Sequence, residues 1–173
     1  MAQDAFTLYK LIILYMLERA QLSLTNAQIS DFLLGNNYTN YFNVQSAITE
    51  LEKNQFITIE TIRNSSHIHI TEEGREVLGY CIQEISDAIK QDVEQYLEKN
   101  MVEIMEDTLV VADYFQVAEN EYTARCIVKD GTSNAVEINL NVATEEEAET
   151  ICTRWKDKSQ DVYAYLIQQL LAE

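Results

Sequence analysis

The residues best suited to recognition chemistry lie close together in one stretch, Asn40 to Gln55. Tyr41, Asn43, Gln45, Ser46 and Thr49 fall there, with Lys53 near its end and Arg63 and His67 a little further on. Asn and Gln amides can pair bidentately with adenine, and Ser or Thr hydroxyls with several bases. Lys53 and Arg63 could hold phosphates, and the polar run Asn64 to His67 could approach a nucleic-acid backbone. A solvated helix face would carry the same residue types, so spacing alone leaves both readings open.

Other clusters offer less. His67 and His69 stand two apart in a β-patterned run and so share one strand face. Structural zinc wants four ligands, and no Cys or His lies nearby to complete the set. Two polar strand positions with Ile68 and Ile70 turned inward is the plainer expectation. Glu145, Glu146, Glu147 and Glu149 gather where a helix should begin, and a helix dipole favours exposed anions there. A catalytic carboxylate pair would instead need one acid in an apolar pocket. With only four glycines there is no phosphate-cradling loop or dinucleotide fingerprint. Cys81, Cys126 and Cys152 sit in apolar surroundings and read as reduced core residues, Cys81 having no basic neighbour to activate it. The expectation is a protein that is not an enzyme and uses neither metal nor cofactor.

The elements that would position the recognition stretch follow from periodicity. Phe6 to Ala20 is apolar on most faces and too long and Leu-rich for a strand, so it predicts a buried helix. Thr25 with Gln28 forms a capping box opening a second helix, and Gly35 stands where a left-handed C-terminal cap is wanted. In Asn40 to Gln55, Val44, Ile48 and Leu51 at i, i+4 and i+7 turn one stripe inward. The opposite face then carries Phe42, Ser46, Thr49 and Lys53. FITIETIR and HIHI around Asn64-Ser65-Ser66 predict a β-hairpin, and Thr71 caps the helix after it.

Helix, helix, helix, hairpin, helix, with a short link between the second and third, is the order of a helix-turn-helix with a two-stranded wing. Two segments carry the resemblance. VQSAITELEKNQFI (Val44 to Ile57) resembles the recognition helix and first wing strand of winged-helix regulators of the PadR and MarR type. HIHITEEGREVL (His67 to Leu78) resembles their second wing strand and the opening of the next helix. The whole chain also resembles a bacterial domain-of-unknown-function family described as winged-helix with a C-terminal extension. The resemblance implies double-stranded DNA as partner and a cytoplasmic transcriptional regulator.

Beyond Leu78, Ile82, Ile85, Ile89, Val93, Leu97, Met101 and Ile104 recur at steps of three or four. They predict one long helix, or two in line, whose seam could cover the C-terminal meander or join two copies. Dimerisation through Ile82, Ile85, Ile89, Val93 and Leu97 is the expectation, since two-fold symmetry suits palindromic half-sites. Leu109–Val117, Tyr122–Lys129 and Ala135–Val142 read as three strands with a turn at Asp130-Gly131. Thr144 with Glu147 caps a helix after the third strand. The expected fold is α+β: a winged helix-turn-helix over 1–80, a linking helix over 81–107, and over 108–173 an antiparallel three-stranded meander packed by one or two helices.

Composition frames this reading. The 173 residues include no Pro and carry a net charge of −17. No run approaches the ~18 apolar residues of a membrane span, and MAQDAFTLYK lacks the features of a signal peptide. Over residues 1–80 five bases face nine acids, while 81–173 hold seven bases and 20 acids. A DNA reader usually shows a basic stripe. The acidity therefore keeps a second reading open, a winged helix turned into a protein-interaction module.

Overall fold

The computed structural model describes residues 4–172. The chain divides into two compact units, Met1–Ile104 and Met105–Glu173. The first begins with α1 (Ala5–Ala20), capped by the Asp4 carboxylate, which accepts from the Thr7 amide at 3.3 Å. Every residue from Leu11 to Leu17 is buried, as a helix without a polar face must be. There follow β1 (Leu24–Thr25), α2 (Asn26–Gly35), α3 (Tyr41–Lys53), β2 (Ile57–Ile62), β3 (Ser65–Ile70), α4 (Glu72–Cys81) and α5 (Asp87–Leu109). The three strands form an antiparallel sheet in the order β1-β3-β2, with Ile68 of the central strand opposite both Leu24 and Ile59.

Several local features depart from the pattern read in the sequence. β1 is only two residues long, too short to announce itself by alternation. The capping box of Thr25 and Gln28 is formed, but the left-handed residue after α2 is Asn37 (φ 58°), not Gly35. The helix runs through Gly35, and Asn37 and Tyr38 amides then close on the carbonyls of Leu34 and Leu33. The hairpin turn falls on Arg63 and Asn64, because Ser65 and Ser66 pair with Ile62 and Thr61 as strand. Gly74 of the TEEGREVL segment serves packing: a Cβ there would lie 2.2 Å from the Phe56 carbonyl oxygen.

The seam after Leu78 does not run as one helix. α4 ends at Cys81, a single 3-10 turn covers Ile82–Glu84, and Ile85 is extended (φ −90°, ψ 122°). Ser86 Oγ then accepts from the Ile89 amide at 3.3 Å and starts the helix again. Nor does the seam present a free face for a second copy. Ile85, Val93, Leu97 and Ile104 are buried in the core of the first unit, and Ile82 and Ile89 pack against it. Three tyrosines fasten α5 in place. Tyr38 donates to the Asp92 carboxylate, Tyr96 to the Gln28 carbonyl at 3.1 Å, and Tyr15 to Glu94 at 3.1 Å. Tyr96 also meets Phe32 edge-on, centroids 5.4 Å apart. Burial, reinforced by Asp92, pushes the Tyr38 phenol up to about 12, and burial with the charges of Asp31 and Glu103 does the same for Tyr96. The five residues expected to dimerise thus serve the protein's own fold, because they cover apolar surface that α1 and α2 would otherwise expose.

The second unit contains β4 (Val110–Ala118), β5 (Glu121–Asp130), β6 (Ser133–Val142) and α6 (Glu145–Leu171). The strands form an antiparallel meander in sequence order, turning at Gly131 (φ 61°). Ala124 on the sheet and Ala148 and Cys152 on α6 are buried together, small side chains that let helix and sheet approach closely. Trp155 Nε1 donates to the Ile127 carbonyl at 3.1 Å. One helix covers the sheet: the polar stretch Lys156 to Gln160 is mostly the outer face of α6, with Ser159 turned inward. Cys126 and Cys152 are buried thiols not joined by a disulfide, and burial pushes Cys126 up to about 11. Among the described residues no helix is long and apolar enough to cross a membrane, and no three His, Cys, Asp or Glu side chains gather as metal ligands.

Candidate nucleic-acid interface

α3 is held by its inner side. Val44, Ala47, Ile48 and Leu51 are buried, and the Asn40 side chain caps the helix by accepting from the Asn43 amide at 2.9 Å. A polar clamp fixes its rotation. Gln45 Nε2 donates to Asn26 Oδ1 at 2.7 Å and to Ser30 Oγ at 3.3 Å, and Asn26 Nδ2 donates back to Gln45 Oε1 at 2.8 Å. With both amides paired head to tail, Gln45 spends its hydrogen-bonding capacity on α2. It is a positioning residue for α3, not a free side chain for base edges.

Asn43 is also turned to its own chain, its Nδ2 donating to Thr39 Oγ1 at 2.9 Å. The outer face that remains is Tyr41 and Phe42, 59% and 77% exposed, with Ser46, Thr49 and Lys53. Phe42, Ser46, Thr49 and Lys53 stand at i, i+4, i+7 and i+11 and form one stripe along the helix. An open groove lies on this stripe, lined by these four residues together with Gln45 and Glu50. Thr49 donates its hydroxyl to the Gln45 carbonyl at 2.9 Å. Glu50, the acid nearest the stripe, is held by Lys10 at 3.4 Å.

The hairpin contributes less than its sequence suggests. Arg63 takes a left-handed turn position (φ 53°) and is half-buried. His67 is buried, opposite Thr25 on one side and Glu60 on the other. Alternation alone places it on an outward strand position facing a nucleic-acid backbone; β1, adding a third strand, makes β3 central and removes that freedom. His69, opposite Thr58, reaches Glu60 at 3.6 Å. Of the eight residues the sequence marks, the structure lines up half-buried Ser46 with exposed Thr49 and Lys53 on one helix stripe, and leaves Tyr41 exposed at the start of α3, off that stripe. Gln45 and Asn43 bond within the fold, His67 is covered, and Arg63 stands apart in the turn.

A domain-wide match accompanies this geometry. The sequence profile of the family described as "Domain of unknown function (DUF4364)" matches residues 9–170. The chain belongs to this family. No curated protein and no solved structure matches it. The family match therefore spans both units, the α3 face and the α6-covered sheet alike.

Phe42 is the residue that sequence reasoning puts on the outward face but leaves out of the recognition set. A phenyl ring makes no hydrogen bond, so a search for base-pairing side chains discards it. Its signal is the spacing that places it on the same outward stripe as Ser46, Thr49 and Lys53. The opposite roles of neighbours Gln45 and Ser46 are testable by urea unfolding. Gln45→Ala should cost roughly 1–3 kcal/mol, because Asn26 and Ser30 lose their part-buried partner. Ser46→Ala should stay within about 0.5 kcal/mol.

Proposed function

We propose that the first unit is a winged-helix DNA-binding module and that the protein is a transcriptional regulator which lays α3 in the major groove. The observation that carries this reading is the outward face of α3: Tyr41, Phe42, Thr49 and Lys53 are exposed while the inner stripe is fixed in the core. Topology supports it. The order α1-β1-α2-α3-β2-β3, a five-residue link from Asn36 to Asn40, and a sheet ordered β1-β3-β2 suit a helix-turn-helix backed by a wing. At 13 residues α3 is about 20 Å long. The major groove, about 12 Å wide, admits such a helix.

Electrostatics sets the kind of DNA binding to expect. Lys10, Arg19 and Arg75 are engaged with Glu50, Glu94, and Glu18 and Glu72 respectively. Lys53, exposed on the α3 stripe, is the cation placed to meet a phosphate, and the chain as a whole carries −17. Binding should therefore rest on base contacts and shape more than on counterion release. A second reading, docking to another protein, draws on Tyr41 and Phe42, since exposed aromatic residues anchor protein interfaces.

A regulator of this type works as a dimer, and the α5 seam is already used. The stretch Val162 to Leu171 offers a replacement: it has no charged side chain, and Tyr163, Tyr165, Ile167, Leu170 and Leu171 are exposed. Copies of an acidic chain repel each other least across such an uncharged patch, and a two-fold contact needs a patch that complements itself.

Two measurements test these statements. Fluorescence anisotropy on duplexes from the protein's own promoter region should show a saturable complex at low salt. Its log–log salt slope should be no steeper than about −2 for a dimer with one Lys53 phosphate contact per copy, and Lys53→Ala should flatten it to near zero. Absence of any saturable complex, with a stoichiometric protein partner recovered free of DNA, would favour the second reading. Sedimentation equilibrium should give a dimer that Ile167→Asp with Leu170→Asp converts to monomer; an unchanged mass removes the α6 contact.

A further inference from the structure

Resting on the DNA reading, the chemistry of the α3 stripe also states what kind of sequence it reads. Direct readout usually uses Asn or Gln for adenine and Arg for guanine. On α3 these groups are spent or missing. Gln45 is paired with Asn26 and Ser30, and Asn43 donates to Thr39. The sequence from Tyr41 to Lys53 contains no Arg. Thr49 is exposed and spends its hydroxyl on the Gln45 carbonyl, so the methyl is the part of its side chain left for an apolar contact. Phe42 stands 77% exposed, with no polar atom on its ring. What α3 offers to base edges is therefore a phenyl ring and a methyl group, with the Ser46 hydroxyl between them.

The major groove displays one apolar group, the C5-methyl of thymine, and Phe and Thr methyl groups are its natural contacts. We propose that this protein selects its DNA site by contacting thymine methyl groups with Phe42 and Thr49, and not by amide or guanidinium hydrogen bonds. Seven residues separate the two side chains, a rise of about 10.5 Å along the helix. At about 3.4 Å per base step, the two thymines stand about three base pairs apart when α3 tracks the groove.

Thymine and uracil differ only by this methyl and pair identically, so they isolate the contact. The full chain is used to select duplexes from a randomised 20-base-pair pool, and the recovered sequence is remade with deoxyuridine at each thymine in turn. Two positions should each weaken binding about fourfold, the worth of one buried methyl group. Phe42→Ala should abolish the difference at one position, and Thr49→Ser, which keeps the hydroxyl and deletes the methyl, at the other. Both residues are exposed, so circular dichroism should show the variants folded as the parent. Equal affinity for thymine and uracil duplexes overturns the thymine inference while leaving DNA binding intact. Failure to recover any saturable duplex overturns both.

Discussion

Which side chains α3 turns outward depends on how that helix is rotated. Two interactions fix that rotation: burial of Val44, Ala47, Ile48 and Leu51, and the paired amides of Gln45 and Asn26. Burial alone specifies a broad stripe and tolerates some roll. A head-to-tail amide pair with both hydrogen bonds under 3 Å is directional and removes that freedom. Only with the rotation set does the series Phe42, Ser46, Thr49, Lys53 become one outward stripe. The geometry of the outward stripe is thus inherited from a contact on the inner side of the helix.

Behind α3 stands α1, whose apolar middle needs cover on every side. α2, α3 and the small sheet supply part of it, and Ile85 with Val93 and Leu97 of α5 completes the layer. The tyrosines make that cover specific. Buried Tyr15 and half-buried Tyr38 and Tyr96 each pack a ring and reach a polar partner, so α5 carries a fixed register on the bundle. A helix that looks from its sequence like an arm for a second copy is in this way part of the domain that precedes it.

Much of this is readable from the chain alone. The helices of α1, α3 and α6, both capping boxes and the three-strand meander each leave a local signal, because caps and period are short-range physics. The features that escape depend on contacts distant in sequence. β1 exists only because β3 lies beside it, and with it comes the burial of His67. Gln45 looks like any exposed polar residue until Asn26, 19 positions earlier, is brought next to it. The α5 seam has the right period but no indication of which surface it will cover. For the candidate residues, then, the sequence shows which side of α3 turns outward but not that Asn43 and Gln45 bond within the fold and His67 is buried.

Nuclear magnetic resonance titration of the labelled protein with its selected duplex tests the orientation of α3 most directly. Amide shifts should concentrate at Tyr41, Phe42, Ser46, Thr49 and Lys53, with smaller changes at the Arg63 turn and none at Val44 or Leu51. Shifts that gather on the β4–β6 sheet or α6 while α3 stays unmoved would contradict it.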